Sequence, residues 1–259
     1  MTLTLTLLCA IALDYWLGEP RNAYHPLVAF GRWAAWLETR CRKPHYAPTR
    51  QKTLGMLAWL CAMSPCLFAL LYLILQPAAQ SIFSIAMLYF CIGARSLQQH
   101  ADAVYLALTA QDLSLARQRV SHIVSRQTAD MTMDDVRRAT IESVLENGAD
   151  AVFAPLFWFV ILGPFGALLY RFSNTLDAMW GYKNPRYQHF GWAAARFDDL
   201  LNWLPARLTA LSYAVIGNSR QAFYAWQHQA HLLDSPNAGP VMTAGAGALD
   251  LSLGGPAWY

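Results

Sequence analysis

Charge is scarce in this sequence, and the scarcity is uneven. Asp, Glu, Lys and Arg make up 14% of its 259 residues while 56% are hydrophobic, whereas a soluble domain carries about 25% charged residues. No charge at all occurs between Lys52 and Arg95, a stretch long enough for two bilayer crossings at about 20 apolar residues each. Such a chain needs a lipid-facing surface. The expected fold is all-α: a polytopic helical membrane protein with a cytoplasmic helical layer and loop-rich site segments. The five cysteines, at 9, 41, 61, 66 and 91, include no C-x-x-C pair and read as small hydrophobes, so no disulfide or metal site is expected from them. The N-terminus has no basic leader and no A-x-A-like cleavage site, so its apolar run, which stops at Asp14, reads as a retained first helix. G-x-x-x-x-G-K-[ST], G-x-G-x-x-G and G-x-S-x-G are all missing, which disfavours a Walker-type nucleotide site, a Rossmann fold and a serine hydrolase. The net charge of +3 is too mild for nucleic acid, and no arginine-rich run is present.

What is present orders itself along the chain. A short apolar segment at 2–17 precedes a polar loop at about 18–52 that carries Arg21, Arg32, Arg40, Arg42, Lys43, Arg50 and Lys52, which the positive-inside rule places in the cytoplasm. Segments near 54–75 and 81–94 form a hairpin around Gln76-Pro77, with the turn on the other side. Residues 95–150 read as a soluble helical layer on the cytoplasmic side, and Thr132-Met133-Asp134-Asp135 has the capping-box pattern that starts a helix through Glu146. The uncharged block 151–170 is one span long but broken at Pro155 and Gly163-Pro164. Two paths are open to it: to cross, or to dip in and return, the second being required if the polar region after it belongs to an enzyme that uses cytoplasmic ATP. The region 171–207 is polar and not periodic enough to be all helix, 208–219 is apolar but short, and the tail holds a turn at 235–240 and a glycine-rich stretch from Gly245.

Two groups of residues carry chemistry. Glu142, Glu146 and Asp150 recur at i, i+4, i+8, on one helix face. On a generic helix that is a solvated face; beside an apolar block it is costly enough to suggest function, and magnesium or a cationic substrate group would relieve the repulsion. The second group is Asn174-Thr175-Leu176-Asp177, followed by Lys183, Arg186, Tyr187, Arg196, Asp198, Asp199, Asn202 and Arg207. Asp198 and Asn202 lie one helical turn apart, with Asp199 about 100° away. Asn174 and Asp177 acting as helix caps, and Arg207 snorkelling, are the structural alternatives. His228 and His231 are read as structural, and Gly163-Pro164-Phe165-Gly166 as a kink.

With these residues in view, the chain resembles the adenosylcobinamide-phosphate synthase family, also called CobD/CbiB-type. The match runs from Leu13-Asp14, Gly18-Glu19-Pro20, His25-Pro26 and Gly31-Arg32 through Glu146-Asn147, Asp150, Asn174-Thr175-Leu176-Asp177, Lys183, Tyr187, Ala195-Arg196, Asp198-Asp199, Asn202 and Arg207 to Ser235-Pro236-Asn237 and Leu253-Gly254-Gly255-Pro256. Gln127 stands where the family usually has Asp, Ala178 where it usually has Ser, and the chain ends at Tyr259, short of a tail and final apolar helix associated with the family. The resemblance implies a single membrane-embedded domain over 1–259 in the bacterial inner membrane, with its active site facing the cytoplasm. It would use ATP and Mg²⁺ to join aminopropanol phosphate, or aminopropanol, to the propionate of adenosylcobyric acid, the corrinoid substrate. On this reading Glu146, Asp198, Asp199 and Lys183 are the catalytic candidates, and Asp150, Asp198 and Asp199 the metal candidates. Lys183, Arg196 and Arg207 would contact phosphate. Asn174, Asn202 and Asn237 would orient substrate, and Asn147, Thr175, Asp177 and Tyr187 complete the binding set. Expected partners are these substrates, membrane lipid, and later cobalamin-assembly enzymes or a second copy of the chain, with no nucleic acid. The competing reading is a non-catalytic sensor or signalling relative of the same superfamily; a transporter would want its carboxylates in mid-span rather than at span ends.

Overall fold

The computed structural model describes residues 2–20 and 25–253, among which every regular element is helical. Arg21 of the basic segment and Gly254 to Pro256 of the terminal motif lie outside the described residues. Three helical stretches are long and apolar enough to cross a membrane, Pro48–Leu75, Pro77–Thr109 and Met133–Trp180, and Leu3–Leu17 is apolar but shorter. The chain divides into two compact units, residues 1–93 with 154–202, and 94–153 with 203–259.

The first unit begins with α1 (Leu3–Leu17), whose first turn is capped by the Thr2 hydroxyl, 3.4 Å from the Leu5 amide. It ends at Gly18 (φ 64°), where the Tyr89 hydroxyl donates to the Gly18 carbonyl at 2.6 Å. The segment 18–52, expected to be a loop, contains α2 (Pro26–Cys41). Its Arg and Trp content hid a helical stripe: Phe30, Ala34, Leu37 and Glu38 recur at i, i+4, i+7, i+8 and are all buried. Pro26 starts the helix with its φ already set, and Phe30 stacks on Phe172 at 4.0 Å. Then α3 (Pro48–Ala62) and α4 (Ser64–Leu75) follow one another across Met63, a 3₁₀ turn at Pro77–Ala79 reverses the chain, and α5 (Gln80–Cys91) returns. This is the hairpin expected from the uncharged stretch. On α4 the side chains of Leu67, Phe68, Leu71, Ile74 and Leu75 are exposed, an apolar face of the kind that a membrane-crossing helix turns to lipid.

The long helix α9 (Ala154–Trp180) is broken at Gly163, with φ 63° and ψ −156°, followed by Pro164. A Cβ on Gly166 would lie 2.4 Å from the Trp158 carbonyl oxygen, yet residues eight apart in a straight helix are separated by about 12 Å. The chain therefore folds back on itself at Gly163-Pro164, and the two legs pack so closely that only glycine fits. The leg at 154–162 spans about 14 Å, roughly half of a bilayer core. Next comes a loop at 181–191 and then α10 (Trp192–Ile216), which passes from the first unit to the second after Asn202. The expected irregularity of 171–207 is thus confined to 181–191. Asn174 of α9 and Asp198 and Asn202 of α10 sit on helices and bond to one another, and Pro205 is accommodated inside α10.

The second unit contains α6 (Ala94–Thr109), α7 (Leu113–Val120), α8 (Met133–Gly148), the rest of α10, α11 (Ser219–Gln229) and α12 (Ala238–Ala248). Val104, Ala107, Ala116, Val120, Val136 and Ala139 form a core between α6, α7 and α8. The capping box of α8 is present: the Asp135 amide donates to the Thr132 hydroxyl at 3.2 Å, and the Thr132 amide to the Asp135 carboxylate at 2.9 Å. A π-helical turn, Ala149–Phe153, follows α8. The glycine-rich stretch begins inside α12, which ends at Ala248, and its first glycines serve packing: a Cβ on Gly247 would meet the Gln221 carbonyl oxygen at 2.4 Å and one on Gly245 would meet Leu145 at 2.6 Å.

Candidate functional site

The first unit places a carboxylate inside the α9–α10 packing. Asp198 is 8% exposed; Asn174 of α9 donates its amide to Asp198 Oδ1 at 3.3 Å, and Asn202, one turn further along α10, donates to Oδ2 at 3.3 Å. The Tyr170 hydroxyl donates to Asn202 Oδ1 at 3.0 Å, which fixes the Asn202 amide so that its nitrogen faces Asp198. Burial, reinforced by the nearby negative charge of Asp177 and opposed by the two amides, pushes the Asp198 carboxyl up to about 7. Asn174 and Asp177 lie within α9 and are not caps. Thr175 spends its hydroxyl on its own helix, at the Arg171 carbonyl, 2.8 Å away.

Asp199 points away from this network, as the helical geometry requires. It pairs with Arg196 at 3.6 Å, and although burial raises its carboxyl, the charges of Arg196 and Lys183 act against that rise. One carboxylate and two cations, one from the 181–191 loop and two residues from α10, are thus gathered beside the buried Asp198. The loop itself is held by Glu38, a residue the sequence reading passed over. Glu38 Oε1 accepts from Arg186 Nη2 at 2.8 Å and Nε at 3.1 Å and from Arg42 Nε at 2.9 Å, and Oε2 accepts from the Tyr187 hydroxyl at 3.2 Å. A signal was there: Glu38 is the only acidic residue between Glu19 and Asp102, set among arginines and lysines.

The remaining candidates belong to the second unit. Glu142 pairs with Arg126, and Glu146 and Asp150 follow it along the chain, half-buried, Asp150 inside the π-helical turn. Single π turns of this kind often mark functional positions. Asn147 donates to the Ser143 carbonyl at 2.9 Å. Arg207 and Asn237 are brought together: Arg207 Nη1 donates to Asn237 Oδ1 at 3.2 Å and to the Trp203 carbonyl at 2.7 Å, with the guanidinium 4.3 Å from the centre of the Trp203 ring. His228 bonds the Tyr224 carbonyl of its own helix at 2.8 Å, in keeping with a structural role.

The sequence candidates thus fall into two sets, Asn174, Asp177, Lys183, Tyr187, Arg196, Asp198, Asp199 and Asn202 in one unit, Glu146, Asn147, Asp150, Arg207 and Asn237 in the other. Among the described residues no group of three or more His, Cys, Asp or Glu side chains is arranged to hold a metal ion. Magnesium needs only one or two protein carboxylates, its other ligands being water and phosphate oxygens. Asp198, whose two oxygens face the amides of Asn174 and Asn202, and Asp199, paired with Arg196, each offer one carboxylate of that kind.

The family model for CobD/Cbib protein matches residues 7–259. The Cobalamin biosynthesis protein CobD of Chromobacterium violaceum is 54% identical over 262 residues, covering 100% of this chain and 84% of that protein. The protein of the same name from Stutzerimonas stutzeri is 52% identical over 259 residues, with the same coverage, and that of Clostridium perfringens is 35% identical over 257 residues, covering 95% and 81%. No solved structure matches. With a family model matched across nearly its whole length and two relatives identical at more than half of the aligned positions, the chain belongs to the CobD/Cbib family of cobalamin biosynthesis.

Proposed function

We propose that the protein is an ATP-dependent amide ligase that joins the amine of aminopropanol phosphate, or of aminopropanol, to the propionate of adenosylcobyric acid at the cytoplasmic face of the bacterial inner membrane. The observation that carries the reading is the buried Asp198, held between two amides, beside a cationic cluster of Lys183 and Arg196. A family member with no reaction to run has no physical need for a carboxylate so costly to bury.

An amine does not displace hydroxide from a free carboxylate at neutral pH, so the propionate must be activated. Its oxygen attacks the γ-phosphorus of ATP and ADP leaves; the amine then attacks the acyl carbon, phosphate departs, and the nitrogen loses a proton as the amide forms. Asp198 and Asp199 are the metal-binding candidates of the first unit; because they face different ways on α10, one or the other would supply the single carboxylate that magnesium needs, and a magnesium ion so held would offset phosphate charge. Lys183 and Arg196 would bind phosphate oxygens, lysine as a point charge and arginine through its planar fork. Asn174 and Asn202 hold Asp198 in place. In the second unit Glu146 remains a catalytic candidate, Asp150 a metal candidate, and Asn147, Arg207 and Asn237 substrate-binding candidates.

The test is turnover of detergent-solubilised protein with adenosylcobyric acid, aminopropanol phosphate, ATP and magnesium. The expected products are adenosylcobinamide phosphate, ADP and phosphate. AMP and pyrophosphate would replace acyl phosphate by acyl adenylate and leave the ligase class standing, whereas no corrinoid product from competent protein would overturn the reading.

A further inference from the structure

The loop at 181–191 is fastened at three places. At its start the Gly181 amide donates to the Asp177 carbonyl at 2.7 Å, and a Cβ on Gly181 would fall 1.9 Å from Asp177 Oδ1. At its end the Gly191 amide donates to the Tyr187 carbonyl at 2.7 Å, and a Cβ there would fall 1.6 Å from the Trp180 carbonyl oxygen. Between them the Asn184 side chain accepts from the Arg186 and Tyr187 amides at 3.0 and 3.1 Å, which turns both side chains to one side, where Glu38 of α2 receives them. Glu38 is 6% exposed. Three of its four contacts come from this loop and the fourth from Arg42 on its own helix.

Burying an ionised carboxylate for stability alone is a poor trade, since an apolar side chain of the same volume does as well or better. What the charge provides is placement, because both of its oxygens must be met in one geometry. Lys183 lies between the Gly181 fastening and the Asn184 turn. It is exposed, and among the described residues nothing engages its ammonium in a hydrogen bond or ion pair. Its charge nevertheless reaches Asp199.

We infer that Glu38 is a positioning residue which, through Arg186 and Tyr187, holds the 181–191 loop so that Lys183 is presented beside Arg196 and Asp199 to a phosphate group of a substrate. The inference rests on the ligase reading for the identity of that substrate. The phosphate belongs either to the amino alcohol or to the nucleotide, and the two are separated by which ligand responds.

The experiment compares wild type, Glu38→Gln, Lys183→Ala and the double variant in detergent, by calorimetric titration with aminopropanol phosphate, aminopropanol and ATP, by steady-state kinetics, and by hydrogen exchange over 182–190. Glu38→Gln should speed exchange in the loop. It should weaken binding and raise KM for one phosphate-bearing ligand about tenfold, the scale of one charge-assisted contact, with kcat changed less than about twofold. Aminopropanol should be unaffected. The double variant should be no worse than Lys183→Ala, because both changes remove the same interaction. A response to aminopropanol phosphate assigns the cluster to the amine substrate and a response to ATP assigns it to the nucleotide. Unchanged exchange, additive losses, or equal weakening of aminopropanol would each overturn the inference while leaving the ligase reading intact. Wild type that binds neither phosphate ligand would overturn both.

Discussion

A carboxylate packed between two helices is held there against its preference for water, and Asp198 shows the consequences most clearly. Its group is raised by burial and by Asp177, so between its ordinary value near 4 and about 7 the folded protein binds more protons than the unfolded chain, and stability falls as pH rises through that window. Asp198→Asn should therefore raise the melting temperature in magnesium-free detergent at pH 8, with the gain shrinking toward pH 4; a pH series of thermal melts checks this. Because Tyr170 fixes Asn202, the new amide must offer its oxygen to Asn202, and Asn174 must turn its own amide over. The same substitution should lower turnover by about 10² to 10³, the cost of losing a transition-state contact. A variant that is more stable yet nearly inactive would identify Asp198 as a group kept for chemistry at the expense of the fold. Glu38 has the opposite sign. Burial would raise it, but hydrogen bonds from Arg186 and Arg42 and the Arg186 charge outweigh that and hold it below its usual range. Its stabilisation is present above about pH 4.3 and lost as pH falls below, so Glu38→Gln should flatten the acid limb of the melting curve.

At the scale of the element, the α9 reversal depends on one residue in the left-handed region. Gly163→Ala places a Cβ at φ 63° and ψ −156°, where no neighbour lies within 4 Å, so the cost is conformational, about 1 to 3 kcal/mol. Gly166→Leu, by contrast, must displace the Trp158 backbone and should prevent the two legs from closing, seen as loss of folded protein on size exclusion in detergent. In α8, Thr132→Ala should cost about 1 kcal/mol in chemical unfolding, as for other lost caps. These elements also mark what sequence could reveal. The capping box, the 76–80 turn and the break at Gly163-Pro164 were legible because each is local chemistry. The helix in 26–41 was not, because arginines and tryptophans interrupt its apolar stripe, nor was α12, whose glycines serve a partner helix distant in sequence. For the site, the turn from Asp198 to Asn202 could be read from spacing. The Tyr170 bond to Asn202 and the grip of Glu38 on Arg186, 148 positions away, exist only once the chain has folded.

For the molecule as a whole, the distribution of basic residues predicts sidedness. Arg32 to Lys52 and Arg95 to Arg138 carry cations, while residues 53–94 carry none, so the 76–80 turn should lie on the side away from the cytoplasm. In a variant with the five native cysteines replaced, a thiol at Gln76 should react with an impermeant maleimide added outside spheroplasts, and a thiol at Asp134 only after lysis. Labelling of position 76 exclusively from within would reverse the assignment of the α4–α5 hairpin.

The fold-back of α9 also bears on how the chain is made. A leg of nine residues is too short to be released into lipid as an independent span, and half a hairpin leaves the polar backbone around Gly163 without cover. The two legs are tied to a helix made later in synthesis: Trp158 donates its indole N–H to the Leu201 carbonyl at 3.0 Å, and Tyr170 reaches Asn202, both on α10. The segment is therefore expected to wait at the insertion machinery until α10 has emerged, and to enter the bilayer as a packed group with it. On nascent chains arrested at increasing lengths, a thiol in place of Trp158 should stay open to water-soluble reagent until the ribosome has passed Asn202 by the length of its exit tunnel, and become protected in one step.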